Sequence, residues 1–211
     1  MEWAWADRMS QAGARRFAIR RRTAADGALF MGGSVFYQGA RFTVYLVAAK
    51  LLGPTLYGLW NALNLVLANG VNYGHLGVLN AMNREVPFNR GRGELELNQS
   101  IVDVSFTTAL IAAAVMAGAC LLASFVGRFD PVTAFGLRVL ALLILVQQLQ
   151  VFYDLVLRSH DRFRLVASEQ GLLSILLLTV VIAFTIVGGF AGFLWGQVLV
   201  YLAVLLYLAR N

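Results

Sequence analysis

The sequence predicts an all-α, polytopic membrane protein. Of its 211 residues, 59% are hydrophobic and only 13% are charged, whereas soluble domains are about 45–50% apolar and about 25% charged. The apolar residues form runs of about 20 residues, the length that a helix needs to cross the hydrocarbon core of a bilayer. These runs also lack the period-two alternation of membrane β-strands. The composition therefore excludes an ordinary soluble protein.

Six such runs predict one bundle of six transmembrane helices. A basic N-terminal tail, residues 1–27, precedes the bundle of residues 28–211 and is either disordered or an interfacial amphipathic helix. Only Gly188 and Gly189 separate the last two runs. The predicted spans are about 28–52, 55–82, 100–126, 133–157, 165–187 and 190–209.

The basic residues predict the orientation of the bundle. With six spans, 13 of the 17 lysines and arginines fall on one side of the membrane. The other side keeps only Lys50 and Arg128, while Arg41 and Arg138 lie within spans. Because basic residues accumulate in cytoplasmic loops, both termini are predicted to be cytoplasmic.

Turn residues mark the boundaries of the spans. Gly53 and Pro54 predict the end of the first helix, because proline cannot continue a helix in the usual way. Asp130 and Pro131 predict the start of the fourth helix, and Pro87 is predicted to lie in the polar loop after the second. Small residues at every fourth position also predict close helix packing. These are Gly70 and Gly74 in the second span and Gly188, Gly192 and Gly196 near the sixth.

Polar residues inside three spans are the candidate functional residues. An ionisable side chain at bilayer depth costs at least ~2.5–3.5 kcal/mol, so it usually faces a protein interior or a water-filled cavity. Helical periodicity places the polar residues of each span on one face, which predicts a hydrated cavity between the three helices. The stripes are Ser34, Gln38, Arg41 and Tyr45; Tyr57, Asn61, Asn64, Asn72 and His75; and Gln147, Gln150, Asp154 and Arg158.

Each stripe also has a structural interpretation that the sequence leaves open. The asparagines and glutamines suit hydrogen bonding between helices without a ligand. Arg41 suits an ion pair with Asp154 or Asp103. Asp154 suits a solvated helix end, where it would pair with Arg158 one turn away.

No catalytic pattern is present in the sequence. It contains no glycine-rich phosphate loop, no Ser/His/Asp arrangement and no Asp-rich metal motif. One cysteine and two histidines are too few for a disulfide framework or a zinc site. We therefore predict no enzymatic activity, no cofactor, no metal and no nucleic-acid partner. A membrane-embedded transferase is the alternative.

Three segments with distinctive turn and charge patterns follow one another along the chain. Lys50–Trp60 reads KLLGPTLYGLW, with a basic residue before Leu-Gly-Pro and then Tyr-Gly. His75–Pro87 precedes the glycine-rich, charged segment Asn89–Glu96, and Phe152–Ser168 carries three arginines. These segments resemble the first helix junction and the first two cytoplasmic hairpins of Wzx-like oligosaccharide and polysaccharide flippases. The resemblance to this branch of the multidrug/oligosaccharidyl-lipid/polysaccharide exporter superfamily covers about residues 28–211.

The resemblance implies a function in the bacterial inner membrane. Flippases of this kind move polyprenyl-pyrophosphate-linked oligosaccharides, such as O-antigen or exopolysaccharide repeat units, by alternating access, often coupled to a proton or sodium gradient. Arg41 would contact the pyrophosphate, because a guanidinium pairs bidentately with phosphate oxygens. The amide stripes would contact sugar hydroxyls, and Asp154 is the candidate for ion coupling. The predicted substrate-binding residues are Arg41, Gln38, Tyr45, Asn61, Asn64, Asn72, Gln147 and Gln150.

Six spans correspond to one lobe of these transporters, which have twelve to fourteen helices. The expected partner is a second six-helix lobe, either a C-terminal half or an identical chain, because one bundle has no second wall to move against. Two other interpretations stay open. The chain could be a non-transporting structural or assembly subunit of a polysaccharide export system, or a non-functional gene fragment.

Overall fold

The computed structural model describes residues 27–73, 75, 77–94 and 96–210 in full, and only the helical backbone of residues 3–26 and 95. The described residues form helices and no strand. The side chains of residues 3–26 lie outside the described part of the chain, and the two alternatives for the tail, a disordered segment or an interfacial amphipathic helix, stay predictions. The elements are α1 (Trp3–Tyr73), α2 (Val78–Arg92), α3 (Leu95–Val126), α4 (Pro131–Ser159), α5 (Phe163–Leu176), a π-helical segment (Leu177–Val181) and α6 (Ile182–Arg210).

Four helical stretches of the described chain are long and apolar enough to cross a membrane. They are Gly27–Arg92, Glu96–Val126, Pro131–Ser159 and Phe163–Arg210. At most 44% of the most apolar part of any stretch is buried inside the molecule, so much of the apolar surface faces outward. The predicted all-α class is confirmed, and this outward apolar surface is the one that a multi-pass membrane protein presents to lipid.

The first stretch reverses direction at Gly53. Its φ of 73° and ψ of 173° fall in a region that is essentially restricted to glycine, and Pro54 follows. Tyr45 and Trp60 then pack edge to face with ring centroids 6.4 Å apart, whereas 15 residues of straight helix would separate them by roughly 22 Å. The chain therefore turns back at Gly53, as predicted.

The fourth stretch reverses direction at Gly189, which has φ 55° and ψ −133°. A Cβ on Gly192 would collide with the backbone carbonyl of Phe184, and a Cβ on Gly196 would lie 3.1 Å from the Cα atom of Val181. The two arms on either side of Gly189 thus approach more closely than a larger side chain at Gly192 would allow. Gly188, the first residue of the predicted small-residue stripe, faces open space.

The chain after Tyr73 differs from the prediction. The predicted second span continues to residue 82 with Pro87 in a loop, but α1 ends at Tyr73 and α2 begins after Gly77, which has φ 82°. Pro87 lies inside α2. A proline inside a helix costs about 3 kcal/mol, whereas each fully buried large apolar side chain contributes about 1.5–3 kcal/mol. The buried side chains of α2 that pack in this way are Leu79, Met82 and Val86.

The short connection between α3 and α4 is fixed by a helix cap. Asp130 accepts hydrogen bonds from the Thr133 hydroxyl at 2.6 Å and from the Thr133 backbone N–H at 3.1 Å. These bonds stabilise the ionised carboxylate and lower the pKa of Asp130 below its ordinary value. Pro131 occupies the first turn, where its missing N–H costs no hydrogen bond. The predicted start of the fourth helix is confirmed.

The main apolar core joins α4 and α6 to both arms of α1, the first arm before Gly53 and the second arm after it. Trp60 is fully buried and packs edge to face against Phe193, with ring centroids 5.0 Å apart. Leu140, Leu143 and Ile144 of α4 complete this layer and are also fully buried. The core therefore holds α1, α4 and α6 around the region that contains Arg41.

The close approach at Gly192 predicts a strong asymmetry between two neighbouring glycines. Gly192→Ala should destabilise the protein by about 1–3 kcal/mol, because the added methyl group forces the two arms apart. Gly188→Ala is the matched control and should have little effect, since its Cβ would meet no atom within 4 Å. Reversible unfolding in mixed detergent micelles measures both. Equal stabilities of the two variants would contradict the packing described here.

Candidate functional site

A polar cavity of about 160 Å³ lies between α1, α4 and α6. Its volume is sufficient for roughly five water molecules. Both arms of α1 contribute to its wall, because the reversal at Gly53 brings the second arm back beside the first. The lining residues are Tyr37, Arg41, Tyr45, Asn64, Leu67, Ala68, Val71, Asn72, Gln147, Gln150, Val151 and Tyr201.

Arg41 supplies the positive charge of the cavity. Its Nε donates a hydrogen bond to the Tyr45 hydroxyl at 3.0 Å, and its guanidinium carbon lies 5.4 Å from the centre of the Tyr45 ring. Among the described residues, no carboxylate lies within 4.0 Å of the guanidinium. The remaining N–H donors of Arg41 are therefore not committed to a carboxylate of the described chain.

Arg41 does not form the ion pair with Asp154 or Asp103 that the sequence leaves open. Asp154 instead accepts a hydrogen bond at Oδ1 from the Nε atom of Arg158 at 3.0 Å, and its Oδ2 lies 2.6 Å from the Nη2 atom in an ion pair. Asp103 is exposed on α3. The predicted pair of Asp154 with Arg158 is confirmed, and this pair occupies both oxygens of the residue proposed for ion coupling.

The structure brings six of the eight predicted binding residues to the cavity and leaves two outside it. Gln38 and Asn61 are exposed and do not line it. Gln38 follows the lining residue Tyr37 and is turned outward, and Asn61 lies three residues before Asn64, the first lining residue of the second arm. The six residues at the cavity are Arg41, Tyr45, Asn64, Asn72, Gln147 and Gln150.

Two tyrosines that line the cavity, Tyr37 and Tyr201, are not among the binding residues predicted from the sequence. The Tyr37 and Tyr201 hydroxyls lie 3.4 Å apart and join the first arm of α1 to α6. Tyr37 stands four residues before Arg41 and eight before Tyr45, so the helical spacing could have identified it. No sequence pattern connects Tyr201 to this face, because its approach depends on the packing of α6 against α1.

A buried carboxylate next to the cavity was also missed. Glu169 of α5 is 1% exposed, and its Oε1 accepts a hydrogen bond from the Gln150 Nε2 at 2.5 Å. It is the one acidic residue in the predicted span 165–187. The cost of burying an ionisable group in a membrane was therefore the signal that could have identified it.

Two further polar residues of the stripes, Ser34 and His75, have local structural roles. Ser34 donates a hydrogen bond to the Gln170 Oε1 at 3.0 Å and so joins α1 to α5. His75 is buried at the bend after α1, where its Nδ1 accepts a hydrogen bond from the Gly77 backbone N–H at 3.2 Å. Within the described residues, no three histidine, cysteine or acidic side chains form a group that could hold a metal ion.

The chemistry of the cavity favours an anion that also carries hydroxyl groups. One guanidinium provides charge-assisted donors, and three tyrosine hydroxyls and four side-chain amides provide both donors and acceptors.

Comparisons of the chain with family models, with curated proteins and with solved structures give no match.

Cysteine labelling distinguishes a hydrated cavity from dry hydrogen bonding between helices. In a Cys120→Ala background, Asn64→Cys and Gln147→Cys should react with a charged, membrane-impermeant thiol reagent, because both positions line the cavity. Leu63→Cys is the matched control and should stay unlabelled, since Leu63 is 3% exposed and points into the core. Protection of both cavity positions would contradict a water-filled site.

Proposed function

We propose that the chain forms one lobe of a flippase that moves polyprenyl-pyrophosphate-linked oligosaccharides across the bacterial inner membrane. The observation that carries this proposal is the guanidinium of Arg41, which faces a polar cavity between apolar helices and has no carboxylate partner among the described residues. Such a charge is costly in a membrane unless it is hydrated or serves an anionic ligand.

The donors around Arg41 suit a pyrophosphate group. A guanidinium makes short, charge-assisted and bidentate hydrogen bonds to phosphate oxygens and stays charged at any physiological pH. The hydroxyl of Tyr45 holds its Nε, which leaves the other donors available for a ligand. A neutral solute would not repay the cost of this charge, and a cation would be repelled by it.

The amide side chains suit the sugar. Asn64, Asn72, Gln147 and Gln150 line the cavity on the walls formed by α1 and α4. Each amide offers both donors and acceptors, and hydroxyl groups of a sugar need both. The cavity of about 160 Å³ is small for an oligosaccharide, so the sugar would extend into the space between this lobe and a second one.

We infer six membrane crossings with both termini in the cytoplasm. The reversals at Gly53 and Gly189 divide two of the four long apolar stretches into paired arms. With α3 and α4, these arms give six crossings. This count also places 13 of the 17 basic residues on one side, as the preference of basic residues for the cytoplasm requires.

Alternating access then requires a second lobe. Known secondary transporters of this kind move one bundle against another around a site near the membrane midplane. The second lobe would be a C-terminal half or an identical chain.

Removal of the guanidinium should abolish recognition of the pyrophosphate. We expect Arg41→Ala to weaken binding of a polyprenyl-pyrophosphate-linked oligosaccharide by at least about 30-fold, since the loss of one partner of a buried charged contact costs 2 kcal/mol or more. Equilibrium binding to the purified protein in lipid nanodiscs measures this effect.

Arg138→Ala is the matched control for this experiment. Arg138 is also an arginine within a predicted span, but it is exposed and stacks on the ring of Phe125 at 4.7 Å. Its removal should change binding by less than threefold. If Arg41→Ala binds the lipid as tightly as the unmodified protein does, Arg41 is structural and the proposed function fails.

A further inference from the structure

The function proposed above makes no use of Glu169, although this residue is nearly inaccessible to solvent. Its Oε1 accepts the hydrogen bond from Gln150, but its Oε2 is buried and has no hydrogen-bond partner among the described residues. An ionised carboxylate in an apolar region normally requires a counter-charge and several hydrogen bonds. Within the described part of the chain, Glu169 therefore has one hydrogen bond and one unsatisfied oxygen.

The charges around Glu169 do not supply the missing compensation. The ionisable side chains that act on it are Asp154 and Arg158, both from α4, and within the described residues α1, α6 and the π-helical segment add none. Arg158 binds Asp154 through two nitrogen atoms, so its charge is already shared. The carboxylate of Asp154 opposes a second negative charge nearby.

We propose that Glu169 is a proton-binding site whose occupancy is coupled through Gln150 to the anion-binding cavity. A proton on Oε2 removes the uncompensated charge and leaves Oε1 free to accept the hydrogen bond from Gln150. The proton would thus sit one hydrogen bond away from a side chain that lines the cavity.

The direction of the coupling follows from charge. An anion in the cavity that reaches Gln150 lies one side chain away from Glu169, so an ionised Glu169 repels it and a protonated one does not. Proton binding therefore strengthens anion binding, and by linkage anion binding strengthens proton binding to the same extent. This second part rests on the proposed function, whereas the proton site itself does not.

Infrared spectroscopy of the protein in nanodiscs tests the proton site without any ligand. The C=O stretching band of a protonated carboxylic acid should be present at pH 7, should be lost in Glu169→Gln and should persist in Asp154→Asn. Absence of the band at pH 7, or its loss only in Asp154→Asn, would overturn the proposal.

A second variant keeps the test informative if Glu169→Gln does not fold. Gln150→Leu removes the hydrogen bond to Oε1 and should move the same band to higher frequency. An unmoved band would show that the protonated group is not Glu169.

Inorganic pyrophosphate tests the coupling. In a titration toward alkaline pH, the midpoint at which the band disappears should rise when pyrophosphate is added, and the rise should vanish in Arg41→Ala. If the band is present but its midpoint does not respond, the coupling is overturned and the proton site stands. The proposed function is judged separately, by binding of the lipid-linked oligosaccharide.

Discussion

A charged guanidinium within an apolar helical bundle is the constraint on which the site depends. In hydrocarbon the charge of Arg41 would cost several kcal/mol, and no carboxylate of the described chain offsets it. Three helices therefore bring hydroxyl and amide groups to the guanidinium and leave room for water between them. An anionic headgroup would need the same polar, hydrated environment to cross the membrane. The surroundings that lower the energetic cost of the Arg41 charge are therefore also the ones that the proposed function requires.

The two glycine reversals build this environment from a largely helical chain. At Gly53 the second arm of α1 returns beside the first, so that Asn64 and Asn72 share a cavity with Arg41. At Gly189 the chain returns along itself and brings Tyr201 toward Tyr37. Straight helices would place these groups tens of ångströms apart. The local backbone freedom of glycine is therefore a condition for the long-range convergence of the polar residues.

Much of this arrangement could be predicted from the sequence because it follows from local chemistry. The turn at Gly53 and Pro54, the cap at Asp130 and the pair of Asp154 with Arg158 depend on residues at most four positions apart. Arg41 was identified because a charge in an apolar run is conspicuous. Helical periodicity placed most of the amide residues on the cavity wall, and it failed for Gln38 and Asn61, whose side chains are exposed outside the cavity.

The remaining features depend on contacts between distant segments. Tyr201 reaches the cavity only through the packing of α6 against α1, and α2 forms because the rest of the bundle buries its apolar face in spite of Pro87. Glu169 gains its significance from an unsatisfied oxygen, which no sequence pattern reports. Local rules thus locate the turns and the charges, whereas the partners of these groups are set by tertiary packing.

The most direct test of the central claim is a nitrogen–phosphorus dipolar coupling measured by solid-state NMR. The sample is the ¹⁵N-arginine-labelled protein in lipid bilayers with a polyprenyl-pyrophosphate-linked oligosaccharide. If Arg41 binds the headgroup, we expect a coupling that corresponds to direct hydrogen bonding between a guanidinium and the pyrophosphate. We also expect its complete loss in Arg41→Lys, which carries no labelled guanidinium at that position. A coupling that persists unchanged in Arg41→Lys would show that the headgroup binds elsewhere and would contradict the account.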